Sequence, residues 1–277
     1  MRPASEKTSV RPAAVAGFFY PADPQELRSE VARYLDSASS DSLRTPQGTP
    51  KALIVPHAGY IYSGRVAAAA YAAIAARRDT IRRVVLLGPS HRVYLHGVAV
   101  PRSDSFATPL GEIPVDAERR HKLIASGEVM SADAPHAQEH SLEVQLPFLQ
   151  MLLGDFELLP LVAGTAEPAH VAAVLDAAWG DEETLVLISS DLSHYHTYDL
   201  ARRIDGDTSE AILQKQITLT GEQACGAVCI NGLLHLARHR PLDVSEILRM
   251  NSGDTAGDRQ RVVGYGAFAI HEPASLS

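Results

Sequence analysis

Cysteine is scarce in this 277-residue chain: only Cys225 and Cys229 occur, one helical turn apart, so neither can close a long loop with the other. That excludes a disulfide scaffold. Basic residues are also in deficit, with 25 Lys and Arg against 33 Asp and Glu. The resulting formal charge of −8 argues against a protein that neutralises many nucleic-acid phosphates. No apolar run approaches the ~18 residues of a membrane span, and Met1-Arg-Pro-Ala-Ser-Glu-Lys-Thr-Ser9 lacks the apolar stretch of a signal peptide. The expectation is a protein of the reducing cytoplasm with neither nucleic acid nor membrane as partner. Core material is plentiful, with 45% hydrophobic and 21% charged residues, the balance of a folded domain. So is histidine, at 12 residues, the commonest metal ligand and a frequent acid or base.

Residues 1–10 are polar and unpatterned, and Ser37–Pro50 is rich in Ser, Thr, Asp, Gly and Pro, so they read as a flexible tail and a loop. Leu27, Val31 and Tyr34, with Asp23 as cap and Pro24 at the first helical position, predict a surface helix over Pro24–Tyr34. Lys51–Pro56 reads as a short strand, and the alanine-rich Ser63–Arg77 as a helix capped by Ser63. The same grammar returns at Arg83–Ser90 and at Thr184–Ser189, the latter followed by a helical pattern over Tyr198–Gln214. Continuous apolar strands of this kind suit a sheet covered on both faces. Further strands are expected at Gly97–Val100, Phe156–Val162 and Val262–Ile270, with Pro160 arguing for an edge or a bulge in the second. Helices are expected at His140–Leu153, His170–Trp179 and Gly226–His239. With no internal repeat and no linker, residues 11–277 read as a single α/β domain.

Three expected strands end alike. Ala52–Val55 runs into Pro56-His57, Val84–Gly88 into Pro89-Ser90-His91, and Leu185–Ser189 into Ser190-Asp191-Leu192-Ser193-His194. Ligands of an open α/β sheet bind outside the carboxyl ends of its strands, so imidazoles placed there converge despite their separation in sequence. One such histidine alone reads as a loop residue bonded to a carbonyl; three at equivalent ends point to a metal or acid–base site. A divalent metal on two neutral imidazoles wants an anionic ligand as well, and Asp191, Glu139, Glu143 and Cys225 are the candidates. Cys225 precedes a helix whose N-terminus favours thiolate. It reads equally as a small buried apolar residue, as Cys229 does.

Eight ordered segments carry a family resemblance. They are Arg11-Pro-Ala-Ala-Val-Ala-Gly-Phe-Phe-Tyr-Pro21, Pro56-His-Ala-Gly-Tyr60, Gly88-Pro-Ser-His91, Thr108-Pro-Leu-Gly111, Glu139-His-Ser-Leu-Glu-Val-Gln-Leu-Pro147, Ser189-Ser-Asp-Leu-Ser-His194, Ala224-Cys-Gly226, and Asn251-Ser-Gly-Asp-Thr-Ala-Gly-Asp258 with Val262-Val-Gly-Tyr-Gly266. From Val10 to Ile270 the chain resembles the Memo family, whose prokaryotic members are called AmmeMemoRadiSam system protein B. The resemblance implies a fold like that of class III extradiol dioxygenases, a mainly parallel central sheet wrapped by helices with a metal pocket at the strand ends. Carried over residue by residue, it implies His57, His91 and Cys225 as metal ligands, with Asp191 and His194 lining the pocket and His140 as a further pocket histidine. The true dioxygenases complete their two-histidine face with Glu, whereas Cys225 is a softer and more electron-donating ligand. Dioxygenase activity therefore does not follow from the fold.

Other matched residues have structural readings. Phe18, Phe19 and Tyr20 read as an N-terminal anchor packed on the domain, and Gly264 and Gly266 as sites of close backbone approach. Asp254 and Asp258 read as turn residues that satisfy backbone amides. Asp205-Gly-Asp207 lacks the remaining oxygen ligands of a calcium loop and is assigned no metal. His140 and Glu143 share a helical face, which suits either a hydrogen bond behind the metal ligands or a helix cap.

The leading expectation is an iron-dependent redox or oxygenase-like enzyme acting on a small organic or peptide substrate. His57, His91 and Cys225 hold Fe(II), with Cu or Zn as alternatives. His194 serves as acid or base, Asp191 orients it or the substrate, and His140 stands beside them. The alternative is a binding protein that sequesters iron or copper, or grips a partner's peptide, without turnover. His194 separates the two, because storage does not need it. The family's prokaryotic name also suggests a functional link to a radical-SAM enzyme.

Overall fold

The computed structural model describes residues 9–40 and 49–273; residues 1–8 of the expected tail and 41–48 of the expected loop lie outside the described residues. In chain order the elements are β1 (Val10–Arg11), α1 (Pro24–Ser40), β2 (Ala52–Val55), α2 (Tyr60–Ala72), β3 (Arg83–Pro89), β4 (Val98–Val100), β5 (Ser105–Thr108), β6 (Gly111–Pro114), α3 (Ala117–Ala125), β7 (Met130–Ser131), α4 (Ala134–Ala137), α5 (His140–Glu143), α6 (Leu146–Leu153), β8 (Glu157–Ala163), α7 (Pro168–Ala178), β9 (Thr184–Ser189), β10 (His194–His196), α8 (Tyr198–Leu213), α9 (Ala227–His239), β11 (Asp243–Asn251) and β12 (Val262–His271).

Strands β2, β9, β3 and β8 lie side by side in that order, all parallel. Antiparallel pairings flank them, β12 beside β2 and carrying β10 and β11, and β4 beside β8; β7 then pairs with β4 in parallel. Side chains alternate between the two faces along each central strand. Leu53, Val55, Leu86 and Leu187 join a core with Leu27 of α1, Val66 of α2 and Phe148 of α6. Ile54, Leu87, Val186 and Ile188 join a second core with Val171 and Leu175 of α7 and Ile230 and Leu233 of α9. Both faces of the parallel strands are thus buried, which explains their unbroken apolar runs.

Several boundaries differ from the sequence reading for physical reasons. Helix α1 continues through the start of the expected loop to Ser40, because Ala38 still reaches the core. Helix α2 starts at Tyr60 behind Gly59 rather than behind Ser63, whose buried hydroxyl donates to Ala58 O at 2.9 Å. The expected helix His140–Leu153 is two pieces, and Pro147 stands in the first turn of the second, where amides have no partner within the helix and a missing one costs little. Pro160 sits in an interior strand, neither at an edge nor at a bulge. It falls between the Leu158–Val115 bridge and the Val162–Ala99 pair, where the ladder needs no donor. Strand β11 had no sequence signal, since Asp243, Ser245, Glu246 and Arg249 interrupt its alternation while α8 packs over it.

The N-terminal segment is tied to α5. Arg11 forms an ion pair with buried Glu143 and donates to His136 O at 3.0 Å and Glu139 O at 2.7 Å. The Glu143 carboxylate also accepts from Tyr20 OH at 2.5 Å and from the amides of Ala14 and Val15 at 2.8 and 3.0 Å. Tyr20 is therefore an anchor, whereas Phe18 is 89% exposed.

Candidate metal centre

The carboxyl ends of β2, β9 and β3 are neighbours, and His57, Asp191 and His91 each stand two residues past one of them. The His57 amide donates to Asp191 Oδ1 at 2.7 Å, which ties the loop after β2 to the loop after β9. Its ring is buried, with Nδ1 2.9 Å from Ser189 Oγ and Nε2 3.2 Å from Cys225 Sγ. The His91 amide donates to Glu139 Oε2 at 2.6 Å, and its Nδ1 lies 2.9 Å from Glu139 Oε1. Glu139 also caps α5 by accepting from Ser141 N at 2.9 Å.

Helix α5 delivers His140. Gly88 near the end of β3 leaves room for it, because a Cβ there would stand 2.7 Å from Ser141 Oγ, and that hydroxyl donates to Pro89 O at 3.0 Å. The three rings converge: centroids are 5.2 Å apart for His57 and His91, 5.3 Å for His57 and His140, and 4.7 Å for His91 and His140. One nitrogen from each lies within 4.8 Å of the others. Phe19 packs beside them, its ring 4.7 Å from that of His140.

Cys225 comes from the segment ahead of α9 and meets this group at His57. Close approach is again a matter of missing atoms, since a Cβ on Gly226 would lie 2.7 Å from Ser190 Cβ and 2.9 Å from Ser189 O. The amide of Gly226 donates to Ser190 Oγ at 2.9 Å, and that of Asp191 to Cys225 Sγ at 3.3 Å. Cys229, one turn further on, is fully buried in the core. His194 opens β10, and with Asp191, Cys225, Arg92, Tyr195 and His196 it lines a cavity of about 750 Å³ that also takes in the three imidazoles.

Burial decides most of the charges. It holds His57, with help from the neighbouring imidazoles, well below the usual imidazole range, keeps His140 at about 4 and lowers His194. These three rings are neutral at pH 7, the form that can donate a lone pair to a metal. Burial would raise Glu139, but the hydrogen bond and charge of His91, with the amides of Ser141 and His91, hold it at about 2. Burial pushes Asp191 up to about 7 against the backbone hydrogen bonds from His57 and Ala58. Burial and the charge of Asp191 push Cys225 to about 12, so the helix N-terminus behind it does not by itself yield the expected thiolate. A bound cation would reverse that balance.

Of the anionic candidates, Glu143 is committed to Arg11 and Tyr20, and Glu139 holds His91 and caps α5. Of the two readings of His140 and Glu143, a hydrogen bond behind the metal ligands or a helix cap, both roles fall to Glu139. Asp191 bonds the backbone at His57 and Ala58. Sequence reasoning missed Ser189 and Gln145 behind His57, and His196 and Arg92 on the cavity wall. Ser189 and Gln145 lie inside matched segments, and Arg92 and His196 just beyond them, a signal that by itself assigns no contact. Among the described residues, no helix is long and apolar enough to cross a membrane.

A family model described as Memo-like protein matches residues 11–269. A MEMO1 family protein of Methanobrevibacter smithii is 36% identical over 278 residues, covering 93% of this chain and 98% of the relative. Another from Ignicoccus hospitalis is 36% identical over 288 residues, covering 95% and 99%, and one from Thermoplasma volcanium is 33% identical over 269 residues, covering 94% and 97%. A crystal structure of an uncharacterized protein from Escherichia coli K12 covers 79% of this chain and 99% of its own at 15% identity. Its TM-score of 0.45 is too low to carry an argument.

Proposed function

The chain belongs to the Memo family, and from that membership we propose that it is a metal-dependent redox protein that binds iron through His57, His91 and Cys225. The observation that carries the reading is the convergence of His57, His91 and His140, one nitrogen of each within 4.8 Å of the others, with a thiol against the first. The donor spacing supports the His57–Cys225 pair, while His140 rather than Cys225 completes the set of side chains whose donor atoms all lie within 4.8 Å of one another. His57 Nε2 and Cys225 Sγ stand 3.2 Å apart, close enough that both would reach one ion. Imidazole nitrogen together with sulfur would favour iron, copper or zinc over magnesium.

Bound there, iron would supply electron exchange and Lewis acidity. The chain supplies the rest. Burial keeps His57 and His140 neutral; Asp191 fixes the His57 backbone, and Glu139 fixes His91. His194, held neutral by burial on the cavity wall, takes a proton from a substrate hydroxyl or amide and returns it later. A cavity of about 750 Å³ suits a small organic molecule or a short peptide segment.

The test is anaerobic purification with metal analysis, followed by oxygen consumption across a panel of catechols and peptides. Stoichiometric iron with substrate-dependent oxygen uptake supports the reading. Zinc at full occupancy with no uptake overturns its redox part, and a protein free of metal overturns it entirely.

A further inference from the structure

Ser189, fully buried at the end of β9, is the meeting point of three hydrogen bonds: its Oγ lies 2.6 Å from Ser141 O, 2.9 Å from Gln145 Nε2 and 2.9 Å from His57 Nδ1. A hydroxyl has one proton and two lone pairs. The Ser141 carbonyl can only accept, so it takes the proton. The orientation of the buried Gln145 amide is also determined. Its nitrogen donates to Pro56 O at 2.9 Å, a contact that a flipped carboxamide would turn into oxygen against oxygen, and its Oε1 accepts from Tyr71 OH at 2.7 Å. Gln145 therefore donates to Ser189 and occupies one lone pair. Only the second lone pair faces His57 Nδ1, so that nitrogen must carry the hydrogen.

We propose that Ser189, oriented by Gln145 and the Ser141 carbonyl, is a positioning residue that fixes His57 in its Nδ1–H tautomer and so leaves the Nε2 lone pair free for a metal. The other side of the ring agrees. Cys225 Sγ accepts from the Asp191 amide and lies 3.2 Å from Nε2, where an S–H can donate to a bare ring nitrogen. Glu139 does the same service for His91, since a carboxylate 2.9 Å from Nδ1 calls for a hydrogen there. Ser189, Gln145 and Tyr71 are not among the residues that line the cavity, so their influence on a ligand passes through His57.

The inference rests on the metal reading for its purpose, but its first test does not need a metal. Long-range proton–nitrogen correlation spectra of the metal-free protein labelled with ¹⁵N-histidine report which nitrogen of His57 is protonated, the resonance being assigned by its loss in His57→Gln. The expected result is Nδ1–H in the wild type and in Ser189→Thr, which keeps a hydroxyl, and a mixture of tautomers in Ser189→Ala. Zinc affinity, measured by competition with a chelator, should fall about 10–100-fold in Ser189→Ala and recover in Ser189→Thr. An Nε2–H ring in the wild type overturns the proposal, as do an unchanged tautomer and zinc affinity in Ser189→Ala. Should Ser189→Ala fail to fold, the wild-type tautomer and the same measurements on Gln145→Met decide. A wild-type protein that takes up no zinc defeats the metal reading, while the tautomer still supports or overturns the role of Ser189.

Discussion

Cys225 and His194 face the same cavity but answer different questions about it. Replacing Cys225 with Ser exchanges a polarisable sulfur for a hard, neutral, weak ligand, so the metal content of the purified variant should fall, and any activity with it. Replacing His194 with Ala should leave the metal bound and lower turnover by about 10²–10⁴, the usual contribution of a positioned acid or base. Equal metal loss in both variants would make His194 a ligand. Asp191 gives a prediction that needs no substrate. Its carboxyl sits at about 7 in the fold and near 3.8 when exposed, so the native state holds a proton that the unfolded chain has lost between those values. The stability it contributes is complete below the lower value and disappears as pH rises through the upper one. Relative to Asp191→Asn, the metal-free wild type should therefore lose stability across that interval in urea melts. A difference that is flat with pH, or rises, contradicts the raised value.

Among the elements, β2, β3 and β9 were legible because runs of four consecutive apolar residues, stopped by proline or by a polar turn, have few other ways to fold. His57, His91 and Asp191 were found with them, as residues that follow such stops. β11 was not legible because it depends on what packs against it, and the break between α5 and α6 was read through although Pro147 marks it. Nor could the sequence say that Glu139 would turn to His91 and Glu143 to Arg11, since four residues on a short helix do not reveal which end is buried under the N-terminal segment. The segment ahead of α9 supplies a test at this scale. Gly226 has an ordinary negative φ of −92°, so alanine there meets no backbone strain. Its methyl would nevertheless press on Ser190 Cβ and Ser189 O. Gly226→Ala should cost about 1–3 kcal/mol in chemical denaturation and reduce metal uptake by moving Cys225 away from His57. Full stability with full uptake would show that Cys225 needs no such close approach.

At the scale of the whole molecule, the two ends of the matched region serve one site. The segment that begins at Arg11 reaches under α5 and so sets where His140 stands, while β12 carries β10 and with it His194. Arg11 and Glu143 are buried at 4% and 0% exposure, so Arg11→Met leaves a carboxylate in the interior without its cation. Loss of about 3–5 kcal/mol is expected in urea melts, and Arg11→Lys, which keeps the charge but not the fork, should fall between. The family was legible from one end of the chain to the other because its motifs lie at strand ends and caps, where geometry dictates residue type. The chemistry was less so, since it depends on which donors meet at one point. The most direct measurement of that meeting is the metal content, by mass spectrometry under anaerobic conditions, of the wild type and of the His57→Ala/His91→Ala double variant. The wild type should carry one iron per chain and the folded double variant none. A wild type without metal, or a double variant that retains it, would contradict the assignment of the centre.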